Sequence, residues 1–313
     1  MGNKAARGRA TSTESREPQR ELRAVSFELE IARKNASKPA LFRGIASSPQ
    51  GWLYIVYGNA LVVMDPMRVQ RLVYGDCHEK GMEDGAWNVA RFNRPRGIHF
   101  FGESLYICDL KNCALRRIRP TNGTSIHPAS TIGPRSSPYK LESLAIAASE
   151  EEGALSGYGR VETYAGQKES KLRDGPIQES LWCAPLDMTL GKDGSNGTAL
   201  FVLDWVFLRM ISSDERVYTV TYGPEELGNG AEAWYNPLSK SNVFPGLANA
   251  SSICAMGDGR FLVTHGVTSA TDALSCVYVL DLARRHYFPV NGTSAVDILE
   301  QDNGYFWHQP KGL

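Results

Sequence analysis

One line of this chain is written twice, and a chain that repeats itself at this spacing has to fold as repeated units. Asp84-Gly85, Arg91-Phe92, Pro95-Arg96-Gly97-Ile98, Leu105-Tyr106-Ile107-Cys108-Asp109 and Arg116-Arg117-Ile118 form the first copy. The second reads Asp174-Gly175, Pro185-Leu186-Asp187-Met188, Leu200-Phe201-Val202-Leu203-Asp204 and Arg209-Met210-Ile211. The two Asp-Gly pairs lie 90 residues apart. Propeller blades run about 40–50 residues, so the interval reads as two blades.

The same unit can be followed along most of the chain. Arg43-Gly44-Ile45 and Arg96-Gly97-Ile98 are one triplet used twice. Leu144, Met188, Ile253 and Ile298 continue the series of apolar anchors at steps of about 50 residues. After most anchors comes a second apolar run: Trp52 to Val56, Leu105 to Asp109, Phe261 to Val263, Tyr305 to Trp307. Outer strands end on glycine, as in Val69 to Gly75, Val161 to Gly166, Val217 to Gly223 and the shorter Ser130 to Gly133. Val161 to Gly166 is assigned to the blade anchored at Leu144. Six anchors predict an all-β, six-bladed β-propeller over residues 22–313, behind a disordered basic tail at 1–21.

The last blade lacks outer strands in this reading. Residues Val25 to Ile31 alternate apolar and polar, as a half-buried strand does. They are expected to complete that blade and close the ring, since closure removes exposed sheet edges. Removing residues 22–32 should then lower the melting temperature of the whole fold; unchanged melting would reject closure. The Gly-, Asn- and Pro-rich stretch at 224–247 reads as a long loop on the propeller, and long loops in compact domains tend to be functional or disordered.

Composition narrows the function. Acidic and basic residues balance at 34 each, which argues against general polyanion binding but not against a local patch. No apolar run approaches the roughly 18–20 residues of a membrane span. Residues 1–24 have no apolar core of a secretory signal, which favours an intracellular protein. Five Asn-X-Ser/Thr sequons, at Asn35, Asn122, Asn196, Asn249 and Asn291, keep a secretory alternative open. The six cysteines are not spaced as a dense disulfide framework; Cys108 and Cys113 could pair across a hairpin, but buried free thiols fit better.

The units at 75–119 and 161–211 resemble NHL repeats, whose pattern is a closing Ala-Gly, then Asp-Gly, Phe-x-x-Pro-x-Gly-Ile, Leu-Tyr-Val-x-Asp and Arg-Ile. Val161-Glu162-Thr163-Tyr164-Ala165-Gly166 before Asp174-Gly175 matches it, as does Arg91-Phe92-Asn93-Arg94-Pro95-Arg96-Gly97-Ile98. The match is weaker at 39–74 and 250–307. The resemblance implies a propeller that binds protein or RNA; related propellers include metal-dependent lactonases and an amidating lyase.

Three functions follow. The first is a non-enzymatic interaction module that binds a protein partner through one face. The second is single-stranded RNA binding through a basic second blade, where Arg91, Arg94, Arg96, Lys111, Arg116 and Arg117 are the binding candidates and aromatic residues would supply stacking platforms. The third is a hydrolase or lyase with a channel metal such as calcium, lactonase-like, for which Glu142, Asp187 and Asp297 sit just before inner-strand anchors. Otherwise no cofactor is expected. The repeated Asp109/Asp204 and Arg116/Arg209 read as turn-capping scaffold pairs, and the histidines form no metal-binding spacing.

Overall fold

Alternating apolar residues between glycine- and asparagine-bearing turns fold into short antiparallel meanders. A computed structural model describes residues 41–120, 126, 159–193, 197–221, 247, 250–265 and 276–290. Blade one contains β1 (Phe42–Ser47), β2 (Leu53–Tyr57), β3 (Ala60–Met64) and β4 (Gln70–Gly75) in that order. Blade two contains β5 (Pro95–Phe101), β6 (Ser104–Asp109), β7 (Ala114–Arg119) and β8 (Arg160–Gly166). The two-residue β9 (Gly175–Pro176) then pairs along the outer edge of blade three, which is built from β10 (Pro185–Lys192), β11 (Thr198–Asp204), β12 (Phe207–Ile211) and β13 (Arg216–Thr221). Blade four contains β14 (Ala250–Ala255), β15 (Arg260–His265), β16 (Cys276–Asp281) and β17 (His286–Val290). Among the described residues no helix is long and apolar enough to cross a membrane.

The first strands stand side by side: β1 against β5, β5 against β10, β10 against β14. Three apolar layers fill the spaces between blades. Tyr54, Val63 and Tyr74 meet Ile98, Leu105 and Ile118 between blades one and two. Cys108, Leu115 and Ala165 meet Trp182, Met188 and Val202 between two and three. Phe201 and Leu203 meet Ile253, Phe261 and Val263 between three and four, where the two phenylalanine rings lie 4.6 Å apart. This is the propeller principle: each sheet is too small to bury its faces alone and does so on its neighbours.

The blade count differs from the expectation. Four blades stand among the described residues, not six. β5 packs directly on β10, so a blade anchored at Leu144 does not stand between them. The strand Arg160–Gly166 pairs with β7 and is the fourth strand of blade two, not the outer strand of a separate blade. The 90-residue interval is therefore one blade with residues 120–159 inserted between its third and fourth strands. The closing glycines behave as expected: Gly75 and Gly166 have φ of 79° and 91°, and a Cβ on Gly166 would lie 2.3 Å from the Cys113 carbonyl oxygen. The 1–21 tail, the Val25 to Ile31 strand, Ser130 to Gly133, Ile298, Tyr305 to Trp307 and the asparagines of all five sequons lie outside the described residues. So does the 224–247 loop apart from Leu247, which is buried between blades three and four. Cys108 and Cys113 are separate buried thiols.

Candidate functional site

The turns between second and third strands and the connections between blades gather at one end of the sheets, called here the loop face. Backbone bonds tie them together: Asn59 N–H to the Cys77 carbonyl at 3.1 Å, Lys111 N–H to that of Asn93 at 3.0 Å, Trp205 N–H to that of Ala184 at 3.0 Å. The Asn59 side-chain oxygen also accepts from Arg94 N–H at 2.9 Å.

Beneath this face the duplicated aspartates and arginines form two copies of one network. In blade two the Arg116 guanidinium donates to Asp109 Oδ2 (2.9 Å), Asp84 Oδ1 (2.6 Å) and the carbonyls of Arg91 and Glu83. In blade three Arg209 donates to Asp204 Oδ2 (3.2 Å), Asp174 Oδ1 (2.8 Å) and the carbonyls of Leu181 and Arg173. Asp84 and Asp174 each accept from the backbone and hydroxyl of an outer-strand threonine, Thr163 and Thr219. Aromatic rings cover the guanidiniums, Phe92 over Arg116 at 5.2 Å and Trp182 over Arg209 at 4.1 Å. Burial pushes Asp109 up to about 6, against the pull of Arg116, and raises Asp204 as well. The network pins each inter-blade loop to the blade it enters.

The six cationic candidates separate accordingly. Arg116 is fully buried in the network. Arg91 binds the carbonyls of its own loop at Asn88, Val89 and Ala90 and pairs with Glu79. Arg117 pairs with Glu162 and lies over the Tyr164 ring at 4.5 Å. Arg94, Arg96 and Lys111 remain at the loop face, Arg94 and Lys111 exposed and Arg96 half-buried.

The structure adds Arg43 to them. Its guanidinium donates to the Gly58 carbonyl at 2.8 Å. Burial, then Arg94 and Arg96, lower the pKa of Arg43, so the three like charges share one neighbourhood. Each first strand carries a bulge at the same place: between Phe42 and Gly44, Pro95 and Ile98, Pro185 and Asp187, Ala250 and Ser252. Bulges re-aim side chains, and in blades one and two the re-aimed residues include Arg43 and Arg96. The repeated Arg-Gly-Ile triplet signalled this, although the pattern marks a strand as readily as a site.

Of the metal candidates, Glu142 and Asp297 lie outside the described residues. Asp187 sits at the first strand of blade three, where its Oδ2 accepts from Ser252 Oγ (2.5 Å) and Ile253 N–H (3.0 Å) of blade four. Burial raises its pKa despite those bonds, and its charge acts on Arg96 and His99. Asp187 thus links two blades. Among the described residues no group of three or more His, Cys, Asp or Glu side chains is placed to hold a metal ion.

No family model and no curated protein matches the chain. Solved structures similar to it include an auxiliary nutrient binding protein from Bacteroides ovatus, with a TM-score of 0.42, 14% identity, and coverage of 79% of this chain and 47% of that one. A second auxiliary nutrient binding protein, from Bacteroides thetaiotaomicron, has a TM-score of 0.41, 14% identity and coverage of 77% and 46%. Virginiamycin B lyase from Staphylococcus aureus has a TM-score of 0.36, 11% identity and coverage of 82% and 71%. The chain spans about half the length of the nutrient-binding proteins. None of these likenesses carries a function over to this chain.

Proposed function

We propose that this chain is a non-enzymatic interaction module that offers its loop face to a protein partner. The observation that carries this reading is Trp205. It occupies the β11–β12 turn with φ of 55° and is 54% exposed. The matching turn of blade one uses Gly58, at φ 62°. A bulky residue in this left-handed region costs about 1–3 kcal/mol of local strain, and such strain collects at functional positions. Arg94 is held the same way, at φ 55°, and is also exposed. Tryptophan and arginine are the residue types that dominate binding energy at protein interfaces.

Replacing Trp205 by glycine separates the fold from the function. Trp205→Gly should leave stability unchanged or raise it by up to about 1 kcal/mol, because glycine tolerates the turn. It should also lower recovery of partner proteins from the native source by about tenfold or more, as loss of an interface anchor does. Equal recovery by the wild type, Trp205→Gly and the double variant Trp205→Gly/Arg94→Glu, measured by quantitative mass spectrometry, would reject the reading.

In the same reading the described blades belong to a closed, NHL-like ring. Ile45 in β1 is 62% exposed, whereas its counterparts Ile98, Met188 and Ile253 are 6%, 2% and 4% exposed. That flank of blade one is where the ring closes, and removal of residues 22–32 tests it.

A further inference from the structure

We infer that Arg43, Arg94 and Arg96 form an anion-binding site at the loop-face ends of β1 and β5, and that its ligand is a carboxylate of an acidic peptide segment. The inference rests on the proposed protein-binding role and names the chemistry of its partner.

The site is built by the repeat. Arg43 and Arg96 come from the same triplet on neighbouring first strands, and both fall at the bulge. The glycine after each arginine lets the strands close. A Cβ on Gly44 would lie 2.2 Å from the Arg96 carbonyl oxygen, so the two backbones touch at the level of the arginines. Arg94 joins from the adjoining loop, held by its bond to Asn59.

Among the described residues the three arginines are gathered without a direct ion-pair partner. Arg71, Arg91, Arg116, Arg117, Arg209, Arg260 and Arg284 each pair with a carboxylate. Among the described residues no such ion pair is made by Arg43, Arg94 or Arg96. Asp187 acts on Arg96 through space, but its Oδ2 is committed to Ser252 and Ile253. Guanidiniums that share one neighbourhood repel one another, and an oxyanion that accepts from several of their N–H groups relieves the repulsion.

One observation favours an acidic peptide over RNA. The three arginines share one neighbourhood, whereas RNA binding needs a charged groove that tracks the backbone.

The test is fluorescence anisotropy at low salt with labelled deca-glutamate peptide, deca-uridylate RNA, and inorganic phosphate as competitor. The full chain should bind the peptide saturably, with affinity falling as salt rises. Arg43→Gln/Arg96→Gln should lose about tenfold or more in affinity, roughly 1.4 kcal/mol. Arg96→Lys, which keeps the charge but loses the fork, should fall between. Arg216→Gln, at an exposed position in blade three, should stay within about twofold of wild type. Thermal melting confirms that each variant is folded. Absence of saturable peptide binding, or equal binding by the double variant, overturns the site. Tighter RNA than peptide binding through the same arginines overturns the carboxylate assignment. If peptide binding depends on Arg43 and Arg96 while partner recovery is untouched by Trp205→Gly/Arg94→Glu, the site stands and the protein-partner role falls.

Discussion

Arg209→Leu is expected to destabilise the fold by about 3–5 kcal/mol, the cost of breaking a buried ion pair by removing one member. Total stability for a domain is about 5–15 kcal/mol, so the variant should lose a large fraction of it. The size follows from what is left behind. Arg209 and Asp204 are both fully buried. Without the guanidinium, Asp204 keeps only the backbone N–H groups of Ala184 and Cys183, at 2.6 and 3.1 Å. Burial already raises its carboxyl, and loss of the nearby cation must raise it further, so the group takes up a proton rather than stay charged. The carbonyls of Leu181 and Arg173 each lose one of two donors, keeping the backbone bonds they exchange at 3.2 and 3.1 Å, and Trp182 loses the cation against its ring. Arg116→Leu should behave alike, because Asp109, Asp84 and Phe92 repeat the arrangement. Asp174→Asn should cost only about 1 kcal/mol, since that side chain is 36% exposed and water can replace part of what is lost. Urea unfolding decides the matter. A loss below about 1 kcal/mol for Arg209→Leu would show that the network does not hold the inter-blade loop to the blade.

The network shows what the sequence discloses and what it withholds. Asp109 and Asp204 stand at the ends of matching strands, and the repetition of aspartate, arginine and Asp-Gly marked them as scaffold. The arginines follow at different distances because the blade-two turn carries the extra single-turn helix Leu110–Asn112 where blade three has the tight turn at Trp205. Only the folded chain shows that both guanidiniums reach the same four kinds of acceptor. The Val161 to Gly166 strand failed for a related reason. Its pattern of apolar alternation and closing glycine names an outer strand, but nothing local says which third strand it pairs with. With residues 120–159 between β7 and β8, counting residues gives an extra blade, whereas pairing gives one. The Arg-Gly-Ile triplet was visible as an apolar anchor. Its arginine mattered because of a bulge, which depends on register across two strands rather than on the residues of one.

Gly97→Ala is expected to cost about 3 kcal/mol, the upper part of the usual range for overpacking a tight contact. Its added Cβ would lie 2.3 Å from Asp187 Oδ1, 2.5 Å from Asp187 Cα and 3.0 Å from the Leu186 carbonyl oxygen. A flexible side chain could swing aside from such a clash; a backbone atom in the neighbouring first strand moves only with its blade. β5 and β10 must separate, and the layer of Cys108, Leu115, Trp182 and Met188 opens with them. Gly44→Ala meets the Arg96 carbonyl oxygen in the same manner and should cost a similar amount. Gly102→Ala is the control. There a Cβ meets nothing within 4 Å, so only the φ of 59° opposes it, at about 1 kcal/mol. A cost at Gly97 no greater than at Gly102, read from unfolding curves, would mean that blades two and three are not locked through this contact. The two clashes also differ in consequence. Gly97→Ala strains a structural contact between blades two and three, while Gly44→Ala moves Arg43 away from Arg96 and should weaken peptide binding even under conditions where the variant is fully folded. The slot before each anchor therefore follows a steric rule: Asp187 has its place in blade three because blade two carries no side chain at the matching position. An aspartate there measures how closely two first strands approach, and by itself it does not mark a metal ligand.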